Sequence, residues 1–238
     1  MLWKRFVVLC GLPAALTLVL GSCEYRRAEI GPMHEEPVSI DLGKVERANV
    51  QLDLGAGELT VRSGVGKLLR GRFEYNVAAW KPEVTYAASG SSADLTIRQP
   101  HGAGGFGHTR NTWDLELNDR VLLDFTLNCG AGQSRLEMGD LDLQHVAVNI
   151  GAGQVDLDLR GKPAHDYDVK VSGGVGQATV RVPENVGVRA EAHGGIGHID
   201  VTGLEKHGDH YENSLYGNSN VNVRLKVEGG IGEIRIIG

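Results

Sequence analysis

Residues 146–159 read Val-Ala-Val-Asn-Ile-Gly-Ala-Gly-Gln-Val-Asp-Leu-Asp-Leu: an alternating apolar segment, a Gly-x-Gly bend, and a second alternating segment. Side chains of a β-strand point to its two faces in turn, so Val155 and Leu157 are expected on one face and Asp156 and Asp158 on the other. The stretch therefore predicts two half-buried strands that are joined by a glycine bend.

The same unit occurs six times along the chain. The flanking glycines of the bends are Gly55 and Gly57, Gly130 and Gly132, Gly151 and Gly153, Gly174 and Gly176, Gly195 and Gly197, and Gly230 and Gly232. The closing glycines of the second to fifth copies are spaced by 21, 23 and 21 residues, which is within the period range of solenoids. We therefore predict an all-β, single-domain β-solenoid-like stack of two-stranded coils with Gly-x-Gly bends.

The sequence of the bends predicts their backbone conformation and the direction of their middle side chains. Successive coils approach closely there and some residues adopt positive φ, which favours glycine at the flanking positions. The middle residue of the bend is apolar in every copy, and we expect an inward-facing column of Ala56, Ala131, Ala152, Val175, Ile196 and Ile231. The alternative fold is an antiparallel β-sandwich of hairpins, because strand-Gly-Gly-strand is also a hairpin signal, although hairpin bends favour polar residues.

The N-terminus has the features of a bacterial export signal. Lys4 and Arg5 precede an apolar run, and the segment Leu20-Gly21-Ser22-Cys23 resembles the lipobox of bacterial lipoproteins. That resemblance implies cleavage before Cys23 and a membrane anchor through lipid on its thiol. An ordinary secretory signal with a chance cysteine is the alternative.

The expected organisation is a signal peptide at 1–22, a lipidated Cys23 with a flexible tether at 23–38, and a solenoid domain at 39–238. Because Glu24 stands where an inner-membrane retention signal would place Asp, we expect the outer membrane as destination if the source has two membranes.

The charge distribution and the cysteine content bear on nucleic acid binding and on disulfide formation. The net charge is −6, with acidic and basic residues interleaved and no basic patch, so we expect no nucleic acid partner. With Cys10 in the signal and Cys23 lipidated, Cys129 is left without an intramolecular disulfide partner.

Two segments interrupt the repeat and are expected to leave the coils as loops, Pro100–Thr112 and Lys206–Asn220. Insertions in a solenoid are often where partners bind, but the second loop could equally cap the last coil. Between the first two copies, we expect Trp80 and Trp113 to help close the N-terminal end of the stack.

No motif predicts a catalytic residue, a metal or a cofactor. The formal G-x-G-x-x-G at 102–107 is not followed by a helix start, as dinucleotide binding requires. The calcium-binding nonapeptide needs Asp where the repeats have Ala178, Ile199 and Ile234. His193, His198, His207 and His210 gather in sequence but lack the tight spacing of a zinc motif.

Residues 52–61, Leu-Asp-Leu-Gly-Ala-Gly-Glu-Leu-Thr-Val, with Arg72–Asn76 and Trp113–Leu115, resemble bacterial toast-rack proteins. More distantly, the chain is similar to adhesin domains and to the C-terminal domains of cell-wall-active antibiotic response proteins. The resemblance covers 39–238 and implies a solenoid of the bacterial cell envelope without catalytic residues. Two functions follow as hypotheses: a lipid-anchored, non-enzymatic scaffold or interaction module, in envelope stress or adhesion, with an envelope protein as partner, or a glycan-binding or glycan-active protein.

Overall fold

The structure, a computed structural model, describes residues 29–64, 66–100 and 108–238. The expected signal peptide 1–22, Cys23 and the glycine-rich stretch 102–107 lie outside the described residues. The strands are β1 His34–Asp41, β2 Arg47–Gly64, β3 Lys67–Tyr75, β4 Glu83–Ser89, β5 Ser92–Arg98, β6 Asn111–Asn118, β7 Leu122–Glu137, β8 Leu143–Asp158, β9 Tyr167–Arg181, β10 Gly187–Thr202, β11 Glu205–His207, β12 His210–Glu212 and β13 Asn222–Ile237. A 3₁₀ turn spans Ala78–Trp80.

The strands form one sheet system in the order β1-β3-β6-β2-β7-β8-β9-β13-β10-β12-β11, and the β4–β5 hairpin joins it where β5 pairs with β2. The six strands that carry the repeat (β2, β7, β8, β9, β13 and β10) pair in parallel, with equivalent residues aligned. Parallel pairing of the repeats confirms the β-solenoid-like fold and excludes the antiparallel sandwich.

Each repeat strand bends at its Gly-x-Gly corner and contributes a segment to each of two layers. In β2, the segment before the corner pairs with β5, whereas the segment after it pairs with β6. Leu52 before the corner and Leu59 and Val61 after it are at most 1% exposed and belong to the same apolar core. The core therefore lies between the two layers and runs the length of the stack.

The folded domain begins earlier than the sequence predicted. Residues 34–38 lie in β1, which pairs antiparallel with β3, so the expected tether boundary at Ser39 is wrong and the domain starts at His34. The Tyr75 hydroxyl donates a hydrogen bond to Glu36 at 2.7 Å. Pro37 argues against a strand in the sequence, but proline is tolerated on an edge strand such as β1.

At that end of the stack, β1, β3 and β6 extend one layer beyond β2. Trp113 is fully buried there and meets Phe73 edge to face, with ring centroids 5.4 Å apart. Trp80 is 6% exposed. The aromatic residues thus close the N-terminal end, as the sequence predicted.

At the opposite end, chain order and spatial order differ. The last strand, β13, lies between β9 and β10, so β10 is the terminal repeat strand. The hairpin β11–β12, from the loop predicted at Lys206–Asn220, pairs with β10 only at Arg189 and Ala190. Tyr211 of this hairpin packs against the core. The hairpin is therefore a partial cap on the end of the stack.

Candidate functional site at the glycine corner

The corner backbones stack too closely to admit side chains at the flanking glycines. Gly153 has φ of 139°, and a Cβ there would lie 1.9 Å from the carbonyl oxygen of Gly132 on the neighbouring strand. Likewise, a Cβ at Gly132 would lie 1.8 Å from the carbonyl oxygen of Gly57. All six closing glycines have φ between 139° and 149°, a conformation that L side chains rarely adopt. The corners therefore form a rigid column of main chain.

The middle residues of the corners face outward, so the predicted inward column is wrong. Val175 and Ile231 are each 52% exposed and Ile196 is 71% exposed. At a corner the chain turns around the core, and the residue at the apex points away from the core. Strand pairing aligns the six side chains in the spatial order Ala56, Ala131, Ala152, Val175, Ile231 and Ile196, which we call the corner ridge. At a strand spacing of about 4.8 Å, the ridge is roughly 24 Å long.

The ridge changes character halfway along the stack, together with the residue just before each corner. In β2, β7 and β8 that residue is large or medium-sized and buried: Leu54, Cys129 and Ile150. In β9, β13 and β10 it is glycine: Gly173, Gly229 and Gly194. The first three corners therefore place alanine outside and a larger residue inside, whereas the last three place Val or Ile outside and glycine inside.

The missing inner side chain at β9 leaves space in a cavity of about 80 Å³ behind the apolar half of the ridge. On β10 and β13 this space is filled, because Cδ1 of Ile199 and of Ile234 would lie 3.3 Å and 3.1 Å from a Cβ at Gly194 and at Gly229, respectively. A Cβ placed at Gly173 would have no neighbour nearer than 4.0 Å. The inner wall is formed by aliphatic residues, among them Val155, Val171, Ala178, Ile199 and Ile234. The corner wall therefore has room for an inner side chain at β9, where the ridge changes from Ala to Val.

A polar ladder runs beside the ridge on the outer face of the first layer. It consists of the aligned residues Asp53, Asn128, Asn149, Ser172, Glu228 and His193. The Asn128 amide donates to Asp53 at 2.8 Å and the Asn149 amide donates to Asn128 at 2.9 Å. Together with Trp80, Arg98 and Pro100, most of the ladder lines a wide groove of about 1290 Å³ along the corner.

Side chains terminate the corner column at its β2 end. Gln99 Oε1 accepts hydrogen bonds from the amides of Gly55 at 2.9 Å and Ala56 at 3.1 Å, and from Asn111 at 2.9 Å. The Asn111 amide also donates to the Ala56 carbonyl at 2.8 Å. Sequence reasoning missed both residues because each lies outside the repeat.

The described residues that line the groove do not form the carboxylate pair of a glycoside hydrolase. Its carboxylates, Asp53 and Glu228, are four strand positions apart, or roughly 19 Å, whereas the two carboxylates of a glycosidase are about 5–9.5 Å apart. Cys129 is 3% exposed, and burial raises the pKa of its thiol, which opposes formation of the reactive thiolate. The described residues of the groove offer mainly apolar and amide groups for contact.

The four histidines that lie close together in the sequence do not converge on one point. His193 and His198 are exposed on β10, whereas His207 and His210 stack in the hairpin with ring centroids 6.2 Å apart. Within 29–64, 66–100 and 108–238, no group of three or more His, Cys, Asp or Glu residues could hold a metal ion. The same residues contain no helix of the length and apolarity that a membrane crossing needs.

The chain belongs to the toast-rack family. Residues 29–181 match the N-terminal domain of toast_rack, and residues 131–236 match the C-terminal domain of the cell wall-active antibiotics response protein LiaF. A solved candidate cell adhesion protein from Clostridium sporogenes is 32% identical, with a TM-score of 0.83, over 86% of this chain and 99% of that chain. A candidate adhesin from Bacteroides fragilis aligns over 87% and 97% of the two chains, with 14% identity and a TM-score of 0.29. No curated protein matches the chain.

Proposed function

We propose that this protein is a non-enzymatic interaction module of the bacterial envelope and that the corner ridge is the surface through which it binds its partner. The observation that carries the proposal is the alignment of Val175, Ile231 and Ile196, each more than half exposed, on adjacent strands. Neighbouring exposed aliphatic side chains form a contiguous apolar patch, which is typical of an interaction site. The stacked corner glycines hold this patch rigid, so binding would cost little ordering entropy.

The family supports this class of function. The matched relatives are described as a cell adhesion candidate and as part of a cell-wall antibiotics response, and both descriptions concern events at the cell surface. The groove and the ridge offer apolar and amide contacts on a rigid support. Adhesion or sensing of envelope stress by protein contact is the function that such a surface serves.

The proposal includes a lipid anchor at Cys23. The folded domain begins at β1, at the opposite end of the sheet order from β10. Eight strand spacings separate β1 from β10, which places the end of the ridge at Ile196 roughly 40 Å from the anchored edge. An anchor at the N-terminus would therefore leave the most apolar part of the ridge at the end of the stack that is remote from the point of attachment.

The ridge is tested by cross-linking in intact cells, followed by pull-down of the protein with its partners. The double variant Val175→Ser, Ile231→Ser removes the exposed aliphatic groups, and we expect it to lose the captured partner while its thermal unfolding stays close to that of the wild type. The matched control, Lys44→Ser with Arg135→Ser, changes two exposed residues away from the corner and should keep the partner. Retention of every partner by the ridge variant would refute the proposal.

The anchor has a separate test, independent of the ridge. Cys23→Ser should abolish labelling with a fatty-acid analogue and release the domain into the soluble fraction, whereas Cys129→Ser should change neither. Unchanged membrane retention of Cys23→Ser would refute the lipid anchor and leave the ridge proposal standing.

A second candidate function, glycan binding, is favoured by the amide ladder in the groove. Asn128, Asn149 and Asp53 offer donors and acceptors at the spacing of adjacent strands, with Arg98 beside them. Buried Trp80 and Trp113 offer no exposed ring for a sugar to stack on. Titration calorimetry with peptidoglycan fragments, comparing the wild type with Asn149→Ala, tests this candidate: heat of binding that the variant loses would support it.

A further inference from the structure

The terminal repeat strand β10 has an open edge beyond its hairpin cap. β13 pairs with β10 along its whole length, but on the other side, among the described residues, strand pairing is confined to Arg189 and Ala190. Residues 193–198 are all exposed. A long strand edge without lysine, proline or a covering element is a template for pairing with another strand.

The core is also incompletely covered at this end. Ala192, Ile199 and Val201 point toward the core but are only partly buried, whereas the equivalent residues Val227, Ile234 and Ile236 of β13 are at most 4% exposed. A further coil on β10 would bury them in the same way. The same addition would cover part of Ile196, which is the most exposed large apolar side chain among the described residues.

The edge is complementary to itself. In antiparallel pairing, directly opposite residues share a face, so the inward residues must lie opposite inward residues. Two registers satisfy this condition and keep the two corners within one residue of each other. In the first, Ala192 lies opposite Val201 and His193 lies opposite Asp200, and the two-fold symmetry repeats each pair. In the second register, Glu191 lies opposite Asp200, and two negative charges directly opposite each other are unfavourable. Charge therefore selects the register in which His193 faces Asp200.

We propose that two copies of this chain associate end to end through antiparallel pairing of the His193–Asp200 segments of their β10 strands, in the register that sets His193 opposite Asp200. A two-fold axis near the corner then relates the copies, as an isologous interface requires. The β11–β12 hairpin, beside Arg189 and Ala190, limits the pairing to this segment. The two corner ridges meet at Ile196 and form one continuous apolar surface.

The mass of the full chain in solution, measured by light scattering over a wide concentration range, tests the association. We expect a concentration-dependent shift from one to two chain masses. Ile196→Lys should abolish the shift, whereas Ile231→Lys, the same change one strand further into the ridge, should leave the dimer intact. A wild type that stays monomeric at all concentrations would overturn the proposal, as would an Ile196→Lys variant that still dimerises.

Charge exchange and disulfide trapping test the register. Asp200→His should raise the dimer dissociation constant by about tenfold, because it places two histidines opposite each other. Adding His193→Asp should restore the dissociation constant, because a carboxylate again lies opposite an imidazole. On mild oxidation, His193→Cys with Asp200→Cys should give a covalent dimer that the wild type does not form. Trapping of His193→Cys with His198→Cys instead would show the other register and overturn the assignment, as would a failure of both pairs to trap.

Discussion

Alanine at Gly153 tests the packing of the corners. The substitution places a Cβ 1.9 Å from the Gly132 carbonyl oxygen and forces an L residue to φ of 139°. The backbone conformation alone costs about 1–3 kcal/mol. The contact must also open by more than 1 Å to reach van der Waals distance, which disrupts at least one interstrand hydrogen bond, worth about 1 kcal/mol. We expect Gly153→Ala to lower the free energy of unfolding by about 2–4 kcal/mol.

Two matched alanine variants separate the causes. Gly43 has φ of 57° and nothing within 4 Å of a Cβ, so Gly43→Ala carries only the left-handed backbone cost of about 1–2 kcal/mol. Gly151 has no positive φ, but a Cβ there would lie 2.5 Å from the Gly130 carbonyl oxygen, so Gly151→Ala carries only the contact. Both should be less destabilising than Gly153→Ala.

Denaturant unfolding followed by circular dichroism compares the three variants with the wild type under one set of conditions. If Gly153→Ala unfolds at the same denaturant concentration as Gly43→Ala, the close stacking of the corners is incorrect and glycine is present for its backbone conformation alone.

Three further predictions follow from the packing and the pKa values. Gly173→Ala should raise the free energy of unfolding by about 0.5–1 kcal/mol, because a Cβ fits the corner cavity and the unfolded chain loses freedom; a destabilised variant would show that the cavity is filled. Gln99→Met keeps the volume but leaves three donors without their acceptor, so denaturant unfolding should show a loss of about 2–3 kcal/mol; an unchanged midpoint would contradict it. The Asp166 carbonyl, with the Asp142 carboxylate, raises the pKa of His165, so this histidine stabilises the fold below its unfolded pKa of about 6.5 and the stabilisation is lost as pH rises through the folded value. His165→Asn should flatten the pH dependence of unfolding in that window, and an unaltered profile would count against the assignment.

The repeat predicted the fold because each of its signals is local. Alternation around residues 146–159 fixes which side chains enter the core, and the glycine pairs fix where the layers join. Parallel pairing followed from the period, since a unit of about 21 residues cannot cover its own apolar face. The position of β13 between β9 and β10 is not encoded in any such local pattern, because β9, β10 and β13 carry the same pattern of inward residues and corner glycines.

Apolar character predicts burial, and this rule fails for the corner ridge. At a corner the direction of the side chain depends on how the backbone turns, and Ile196 and Ile231 lie at the apex. A signal was present in the sequence: the residue before the bend changes from Leu54 and Ile150 to Gly173 and Gly229 as the bend residue grows. A side chain that moved from inside to outside explains that exchange, whereas an inward column does not.

The central claim, that the corner ridge is the contact surface, is tested most directly by a photoreactive amino acid at position 231 in living cells. The matched probe occupies position 135, which is exposed on the outer face of β7, away from the corner. We predict that irradiation cross-links the protein to an envelope component from position 231 and not from position 135. Cross-linking that is equal at both positions, or stronger at position 135, would contradict the claim.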